Sequence, residues 1–271
     1  MKQIKSDGTH ISYNVYGDGE VALLFVHGAF INQTYWKEQV DFFKRDYKVI
    51  TLDLPGHGKS GKERKDWSIK NFAADIIALI TELELRNVIL IGHSMGADVN
   101  LIVANNNPAP VLGIIGIDIL KNAGMPLPDE YQQQVSQILH GLETDFVNTN
   151  EQYARMALLT EKTPKEIVER IVSDYRNAYQ PMAKPLTKEV FSSFEIERKC
   201  LQELQYKLYL INVSYMPTNE APLQRFAGRS GYEVLNMKST SHFPMLESPI
   251  VLNALLQEVI QEIAVNVLHG A

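Results

Sequence analysis

The chain has 271 residues, of which 45% are hydrophobic and 21% charged, a composition typical of a globular protein with one large or two small domains. Its formal net charge of −6 argues against a nucleic-acid partner, and the basic residues Lys62, Arg64 and Lys65 are interpreted as a solvated loop. The single cysteine, Cys200, excludes an internal disulfide. Because neither a signal peptide nor a run of ~18 apolar residues is found, we expect no membrane span and a cytoplasmic protein. The oligomeric state is not defined by these properties.

The first part of the chain alternates predicted strands and helices. Segments on either side of Asp7-Gly8 alternate in polarity and predict a β-hairpin. Continuous apolar runs then predict buried strands, and apolar residues at helical spacing predict helices between them. In chain order these are strand 21–27, helix 34–45, strand 47–52, a helix capped by Ser68, strand 88–91, a helix through Leu101 and Ala104, and strand 111–117. Strands separated by helices predict a mostly parallel sheet with helices on both faces.

The alternation stops near Asp118. Residues 121–205 carry helical signals and no convincing strand, and Thr163-Pro164-Lys165-Glu166 predicts a capping box with proline at the first helical position. The remaining predicted elements are strand 207–213, helix 222–227, strand 232–235 and helix 249–267. We therefore predict one α/β core, formed by residues 1–120 and 206–271, with a helical insertion at residues 121–205.

A nucleophile elbow is predicted at Gly92-His93-Ser94-Met95-Gly96. This G-x-S-x-G pattern follows the apolar run at 88–91 and begins a helical pattern, which is the setting that such an elbow requires. A sharp turn there would present the Ser94 side chain at the carboxyl end of the sheet. The alternative interpretation is a serine in an ordinary turn between a strand and a helix.

His242 is the predicted base for Ser94, because a serine hydroxyl needs a base at neutral pH. Its loop lies between the last predicted strand and the last helix, at the same sheet edge as Ser94. An oxyanion also needs two N–H donors, for which Met95 and Ala29 are predicted. His27 and His93 are interpreted as structural residues rather than bases.

The chain resembles the α/β-hydrolase superfamily. The motifs that carry this resemblance are His27-Gly28-Ala29-Phe30, Asp53-Leu54-Pro55-Gly56-His57-Gly58-Lys59-Ser60, Gly92-His93-Ser94-Met95-Gly96 and His242-Phe243-Pro244-Met245-Leu246-Glu247. The resemblance implies Ser-His-acid catalysis without a metal or cofactor, and it makes residues 121–205 a cap over the active site.

The acid of the triad departs from the usual family pattern. Most members carry an Asp shortly after the strand that matches 207–213, and Met216 stands at that position here. Glu220 is the nearest carboxylate in that loop. Asp118 ends the strand after the nucleophile, where some subfamilies, including certain haloalkane dehalogenases, place the acid. Asp118 is the favoured candidate, with Glu220 and a degenerate site as the alternatives.

These observations predict a serine hydrolase that cleaves a carboxylic ester, a thioester or a related acyl compound. Cofactor-free lyases and perhydrolases use the same fold and triad, and some family members are ligand sensors with slow turnover, so both alternatives stay open. Hydroxynitrile lyases need a further polar group near the serine, often Lys, which the sequence does not identify. The small-molecule substrate is predicted to contact Phe30, Met95, Tyr131, Phe146, Tyr153, Met156, Phe191 and Phe243.

Overall fold

The computed structural model describes residues 2–268, and Met1 and residues 269–271 lie outside the described part of the chain. Within that part, a single eight-stranded sheet forms the centre of the molecule. Its strands are β1 (Lys2–Ser6), β2 (Thr9–Tyr16), β3 (Ala22–Val26), β4 (Lys48–Leu52), β5 (Val88–His93), β6 (Val111–Ile117), β7 (Leu208–Val213) and β8 (Tyr232–Met237).

The sheet is mostly parallel, as the sequence predicted. Its strand order is β1-β2-β4-β3-β5-β6-β7-β8. β1 and β2 pair antiparallel through the predicted hairpin, in which Ser6 lies opposite Thr9, and β2 also pairs antiparallel with β4. All later pairs are parallel, so the carboxyl ends of β3, β5, β6 and β7 lie at one edge.

Helices cover both faces of the sheet. Every residue of β3 and of β5 is buried, which explains why these strands are continuously apolar rather than alternating. Helix α2 contacts α3, and α1 separately contacts α11. The helices outside the segment from β6 to β7 are α1 (Lys37–Phe43), α2 (Ile69–Glu82), α3 (Met95–Asn106), α9 (Glu220–Phe226), α10 (Pro244–Glu247) and α11 (Pro249–Leu268).

The segment between β6 and β7 contains helices, with no strand in residues 121–205. Tyr35 OH donates a hydrogen bond to Asp174 Oδ2 at 2.7 Å, and His242 N donates to Leu158 O at 3.0 Å. These contacts join the helical segment to loops at the carboxyl edge of the sheet. Its elements are α4 (Asp129–Thr144), α5 (Phe146–Tyr153), a π-helical turn (Ala154–Leu158), α6 (Lys165–Arg176), α7 (Gln180–Phe191) and α8 (Phe194–Glu203).

Two local predictions about helix ends have different outcomes. Ser68 caps α2 as predicted, since its Oγ accepts a hydrogen bond from Asn71 N at 3.3 Å. The predicted capping box at Thr163 is wrong, because α6 begins at Lys165 without a side-chain cap. The Thr163 hydroxyl is used within its own turn, where it accepts a hydrogen bond from Thr160 N at 3.2 Å.

Arg64 also differs from its prediction as part of a solvated loop. Its guanidinium is buried and forms two hydrogen bonds to Asp75 of α2, one of them at 2.7 Å. The aligned donors of arginine match a carboxylate in this paired geometry, which allows the charge to be buried. Across residues 2–268, no helix is both long and apolar enough to cross a membrane.

Candidate active site

Four strand ends at the carboxyl edge are followed by residues in the left-handed region of φ, one of them being Ser239 after β8 with a φ of 65°. Phe30 follows β3 with a φ of 64°, Ser94 follows β5 with 51°, and Asp118 follows β6 with 49°. Leu120 adds a φ of 55° close to Asp118. Such conformations cost about 1–3 kcal/mol each for residues other than glycine, and they cluster at functional sites. The backbone therefore marks this edge independently of the side chains.

Ser94 stands on a tight turn between β5 and α3. Its N–H donates to Ile117 O at 3.0 Å, and its carbonyl accepts from Ala97 N at 2.8 Å. A Cβ at Gly96 would lie 2.4 Å from Val26 O, so no larger residue fits beside the turn. Ser94 is half-buried, whereas the residues on both sides of it are buried. The strand, turn and helix expected around this serine are present.

His242 is held by Asp118 across neighbouring segments of the edge. His242 Nδ1 lies 2.6 Å from Asp118 Oδ2, and Asp118 Oδ1 accepts a hydrogen bond from Val213 N at 3.1 Å. When Nδ1 carries the ring proton, this N–H donates a hydrogen bond to the carboxylate, and Nε2 is left as an acceptor. Burial acts to raise the pKa of Asp118, but His242 and Lys121 stabilise its charge and lower that pKa overall.

Ser94 Oγ and His242 Nε2 do not form a hydrogen bond with each other within residues 2–268. Both atoms are also without another protein partner among residues 2–268. Hydrogen bonds between a nucleophile and its base are often long in ligand-free enzymes and tighten when substrate binds. The arrangement leaves the serine hydroxyl and the imidazole acceptor available to a substrate.

Glu220 is not brought to His242. It lies exposed at the start of α9, where its Oε2 accepts a hydrogen bond from Tyr232 OH at 3.2 Å. Met216, in the loop that precedes Glu220, is 51% exposed. The carboxylate on His242 therefore comes from the end of β6.

The loop after β3 lies directly against the serine. A Cβ at Gly28 would lie 3.2 Å from Ser94 Cβ and 2.8 Å from His93 Nδ1, so only glycine allows this approach. The backbone N–H groups of Ala29 and Met95 have no hydrogen-bond acceptor among the described residues. Two free donors on either side of Ser94 are what an oxyanion requires.

His27 and His93 brace this edge. His27 Nδ1 donates to Gly28 O at 2.7 Å, and its Nε2 accepts from Leu54 N at 3.0 Å. His93 Nε2 donates to the carbonyl of His242 at 2.8 Å. Burial lowers the pKa of His27 to about 4 and lowers the pKa of His93 well below its usual value, so both rings are neutral near pH 7.

Three of the predicted pocket residues share an aromatic cluster with Tyr175, which the sequence prediction missed. The Phe30 ring lies edge-on to Tyr175 at 5.3 Å, and the Tyr153 ring lies 6.2 Å from Tyr175 and 6.0 Å from Phe191. The buried residues of α6 are Ile171, Val172 and Tyr175. Their spacing is a sequence signal for the inward face of this helix.

Four other predicted pocket residues lie elsewhere. Phe243 is fully buried behind the base, with its ring 5.3 Å from that of His242, and Phe146 is buried in the hydrophobic core. Tyr131 and Met156 are 48% and 84% exposed, so neither side chain lies in an enclosed pocket. Met156 lies in the π-helical turn Ala154–Leu158.

A cavity of about 170 Å³ opens beside the site, between the loop after β3 and the helices α6 and α7. Its lining includes Phe30, Asp174, Tyr179 and Met182, and it does not include Ser94. Among the described residues, no group of three His, Cys, Asp or Glu side chains is arranged to hold a metal ion.

Comparison with known proteins identifies the family of the chain. The sequence model of the alpha/beta hydrolase family matches residues 23–255, a range that includes the loop after β3, the Ser94 turn, Asp118 and His242. The chain belongs to the alpha/beta hydrolase family.

The individual relatives of this alpha/beta hydrolase are similar to it either over part of its length or at low identity. A non-heme haloperoxidase of Rhodococcus erythropolis is 38% identical over 92 residues, which are 34% of the chain and 33% of that relative. The chain thus matches only about a third of the haloperoxidase's length. The karrikin insensitive 2 receptor IA of Petunia hybrida is 22% identical over 94% of the chain and 96% of the receptor. A thermophilic esterase from Thermogutta terrifontis shares the fold, with a TM-score of 0.82 and 18% identity over 97% of this chain and 99% of the esterase.

Proposed function

We propose that this alpha/beta hydrolase cleaves a carboxylic ester, or a related acyl compound such as a thioester, through an acyl-enzyme on Ser94. The observation that carries the proposal is the 2.6 Å contact between His242 Nδ1 and Asp118 Oδ2, at the same sheet edge as the strained Ser94 turn. A carboxylate in this position fixes the imidazole tautomer and orientation that a serine nucleophile needs.

In the first half of the reaction, His242 Nε2 accepts the Ser94 proton while Ser94 Oγ attacks the acyl carbon. The negative charge that develops on the carbonyl oxygen is stabilised by the N–H groups of Ala29 and Met95. Asp118 stabilises the imidazolium form of His242. The imidazolium then protonates the leaving alcohol or thiol as its bond to the acyl carbon breaks.

In the second half, water replaces the leaving group. His242 accepts a proton from this water, whose oxygen attacks the ester carbon of the acylated Ser94. The tetrahedral intermediate uses the same two N–H donors, and its collapse returns the proton to Ser94. The products are a carboxylic acid and the free enzyme.

The helical segment 121–205 acts in this proposal as a cap over a core of residues 1–120 and 206–271. Tyr153, Tyr175 and Phe191 are contributed by the cap, and Phe30 joins them from the loop that carries the oxyanion donor Ala29. Because their rings form one apolar surface beside this loop, we assign the acyl chain to it.

A second candidate is a ligand receptor with slow turnover. The alignment over 94% of the chain with the Petunia hybrida receptor favours this candidate, because it includes the segments that would bind a ligand. A hydroxynitrile lyase is less well supported. Lys121 is the lysine nearest to Asp118 in the chain. Its ammonium lies 2.6–2.7 Å from Asp118 Oδ1, Val213 O and Met216 O, so these three oxygens occupy it.

The proposal is tested with p-nitrophenyl esters of graded acyl length. We expect turnover of at least one ester by the wild-type protein and loss of this turnover in Ser94→Ala, with the folded state checked by circular dichroism. Turnover that persists in Ser94→Ala would contradict the proposal. Tight binding of an ester analogue without turnover of any ester would favour the receptor instead.

A further inference from the structure

Lys121 joins two segments of the carboxyl edge. Its Nζ forms an ion pair with Asp118 Oδ1 at 2.6 Å and donates hydrogen bonds to Val213 O at 2.7 Å and Met216 O at 2.6 Å. The ammonium also lies 5.0 Å above the centre of the Tyr215 ring. One cation therefore contacts the carboxylate after β6 and the loop after β7.

The two oxygens of Asp118 face different partners. Oδ2 contacts the imidazole of His242, while Oδ1 contacts Lys121 and Val213 N. The side chain of Asp118 is 1% exposed and that of Lys121 is 13% exposed, so water screens this pair only weakly. Burial lowers the pKa of Lys121, and the attraction of Asp118 opposes that shift.

Lys121 also holds the loop after β7. The carbonyls of Val213 and Met216 both accept hydrogen bonds from its ammonium. The loop thus remains attached to the carboxylate that His242 uses. Rotation of Asp118 away from His242 would break the ion pair with Lys121 or disturb this loop.

The charge of Lys121 also opposes the charge of Asp118. A carboxylate paired with an ammonium attracts a proton on the neighbouring imidazole less strongly than an unpaired carboxylate does. His242 must be neutral to accept the Ser94 proton. Without the charge of Lys121, Asp118 would attract that proton more strongly.

We propose that Lys121 is a positioning residue, which holds the Asp118 carboxylate on His242 and sets the lower pH limit of activity through its charge. The assignment of an activity limit rests on the proposed function, because it takes His242 as the base.

Other ionisable groups also face His242 and Asp118. The His93 ring lies 4.5 Å from the His242 ring, and Tyr215 lies beside Asp118. Burial keeps both neutral, since it lowers the pKa of His93 and raises the pKa of Tyr215. Glu247 of α10 accepts a hydrogen bond from Ser241 N at 3.1 Å. Of these three groups, Tyr215 also contacts Lys121, whose ammonium lies over its ring.

The first test is the pH dependence of kcat/KM for a p-nitrophenyl ester that the wild-type protein cleaves. Lys121→Gln keeps a hydrogen-bond donor but removes the charge, Lys121→Met removes both, and Lys121→Arg keeps the charge. We expect the midpoint of the acid limb to move up by about one pH unit in the first two variants and to stay in place in Lys121→Arg.

Lys207→Met is the matched control. Lys207 is likewise held by carboxylates, at 2.7 Å from Glu233 and 2.9 Å from Glu262, but it precedes β7 at the opposite edge of the sheet. Its loss changes the net charge equally, and we expect the acid limb to stay in place. An acid limb that is unmoved in both Lys121→Gln and Lys121→Met, or that moves equally in Lys207→Met, would overturn the proposal.

A titration of the His242 ring by NMR makes the result independent of turnover. We expect its midpoint to rise in Lys121→Gln and to match the wild-type value in Lys121→Arg. If the wild-type protein cleaves no ester but this midpoint rises, the proposed function fails while Lys121 retains its effect on His242. If esters are cleaved and the midpoint is unmoved, the role of Lys121 is refuted while the proposed function stands.

Discussion

His242 Nδ1 lies 2.6 Å from Asp118 Oδ2, although 124 positions separate the two residues in the chain. The contact forms because Asp118 directly follows β6, the neighbour of β5 and of its Ser94 turn, and because the His242 loop is bound to this edge through His93. The contact identifies Asp118, after the strand that follows Ser94 in the chain, as the candidate acid, rather than a residue of the loop after β7.

Asp118→Asn is expected to lower kcat by about 10³- to 10⁴-fold, because an amide cannot hold the required tautomer of His242 or stabilise its imidazolium. The measurement is the steady-state hydrolysis of a p-nitrophenyl ester. Glu220→Gln is the control, since Glu220 contacts Tyr232 and not His242, and its activity should equal that of the wild type. The reverse result, with kcat lost only in Glu220→Gln, would show that the acid is misassigned.

Gly28→Ala is expected to lower kcat by about tenfold or more. The added methyl group would lie 2.8 Å from His93 Nδ1 and 3.2 Å from Ser94 Cβ, so the loop must move and carry the Ala29 N–H with it. Loss of a single oxyanion donor costs about 10²- to 10³-fold in kcat. Stopped-flow measurement of acylation tests this expectation, and an unchanged acylation rate in a folded variant would rule out this role for the loop.

Tyr153→Ala is expected to shift the preferred acyl chain towards longer substrates by about tenfold in the ratio of kcat/KM values. Removing a ring beside Tyr175 and Phe191 enlarges the proposed acyl surface, and hydrophobic pockets discriminate by such factors for a few methylenes. Met156→Ala is the matched control, because Met156 is 84% exposed. A length profile that changes equally in both variants would place the acyl chain elsewhere.

His27 is expected to make folding stability fall as the solution becomes acidic. Burial lowers its pKa in the folded state from 6.5 to about 4, so the unfolded chain takes up this proton first. The contribution is fully present above about pH 6.5 and is lost as the pH falls towards 4, which amounts to about 2 kcal/mol between pH 7 and pH 5.

Urea unfolding at pH 7 and pH 5 tests the contribution of His27. His27→Gln retains hydrogen-bonding capacity without a titrating ring, so its free energy of unfolding should fall by about 2 kcal/mol less than that of the wild type over this interval. Equal losses in the two proteins would show that His27 does not take up a proton on unfolding.

The sequence predicted the strands and their mostly parallel sheet well, because buried parallel strands are continuously apolar. It also placed Ser94, Asp118 and His242 at one edge, since parallel strands present their carboxyl ends together. These predictions depend on periodicity and chain order, which a single sequence contains.

The less successful predictions concern side chains whose environment is set by distant parts of the chain. Arg64 was expected in solvent but is buried against Asp75, and no local pattern reveals that partner. Met156 was predicted to contact the substrate, whereas its side chain is 84% exposed. Lys121 carried no sequence signal, because two of its partners, Val213 and Met216, are backbone carbonyls 92 and 95 positions away.

Covalent labelling with a fluorophosphonate tests the central claim most directly, because the probe reacts with activated serine nucleophiles and needs no knowledge of the substrate. Intact-mass and peptide mass spectrometry should find one adduct per chain, located on Ser94, with no adduct in Ser94→Ala and much slower labelling in Asp118→Asn. Absence of an adduct on the folded wild-type protein, or an adduct on another residue, would contradict the assignment of Ser94 as the nucleophile.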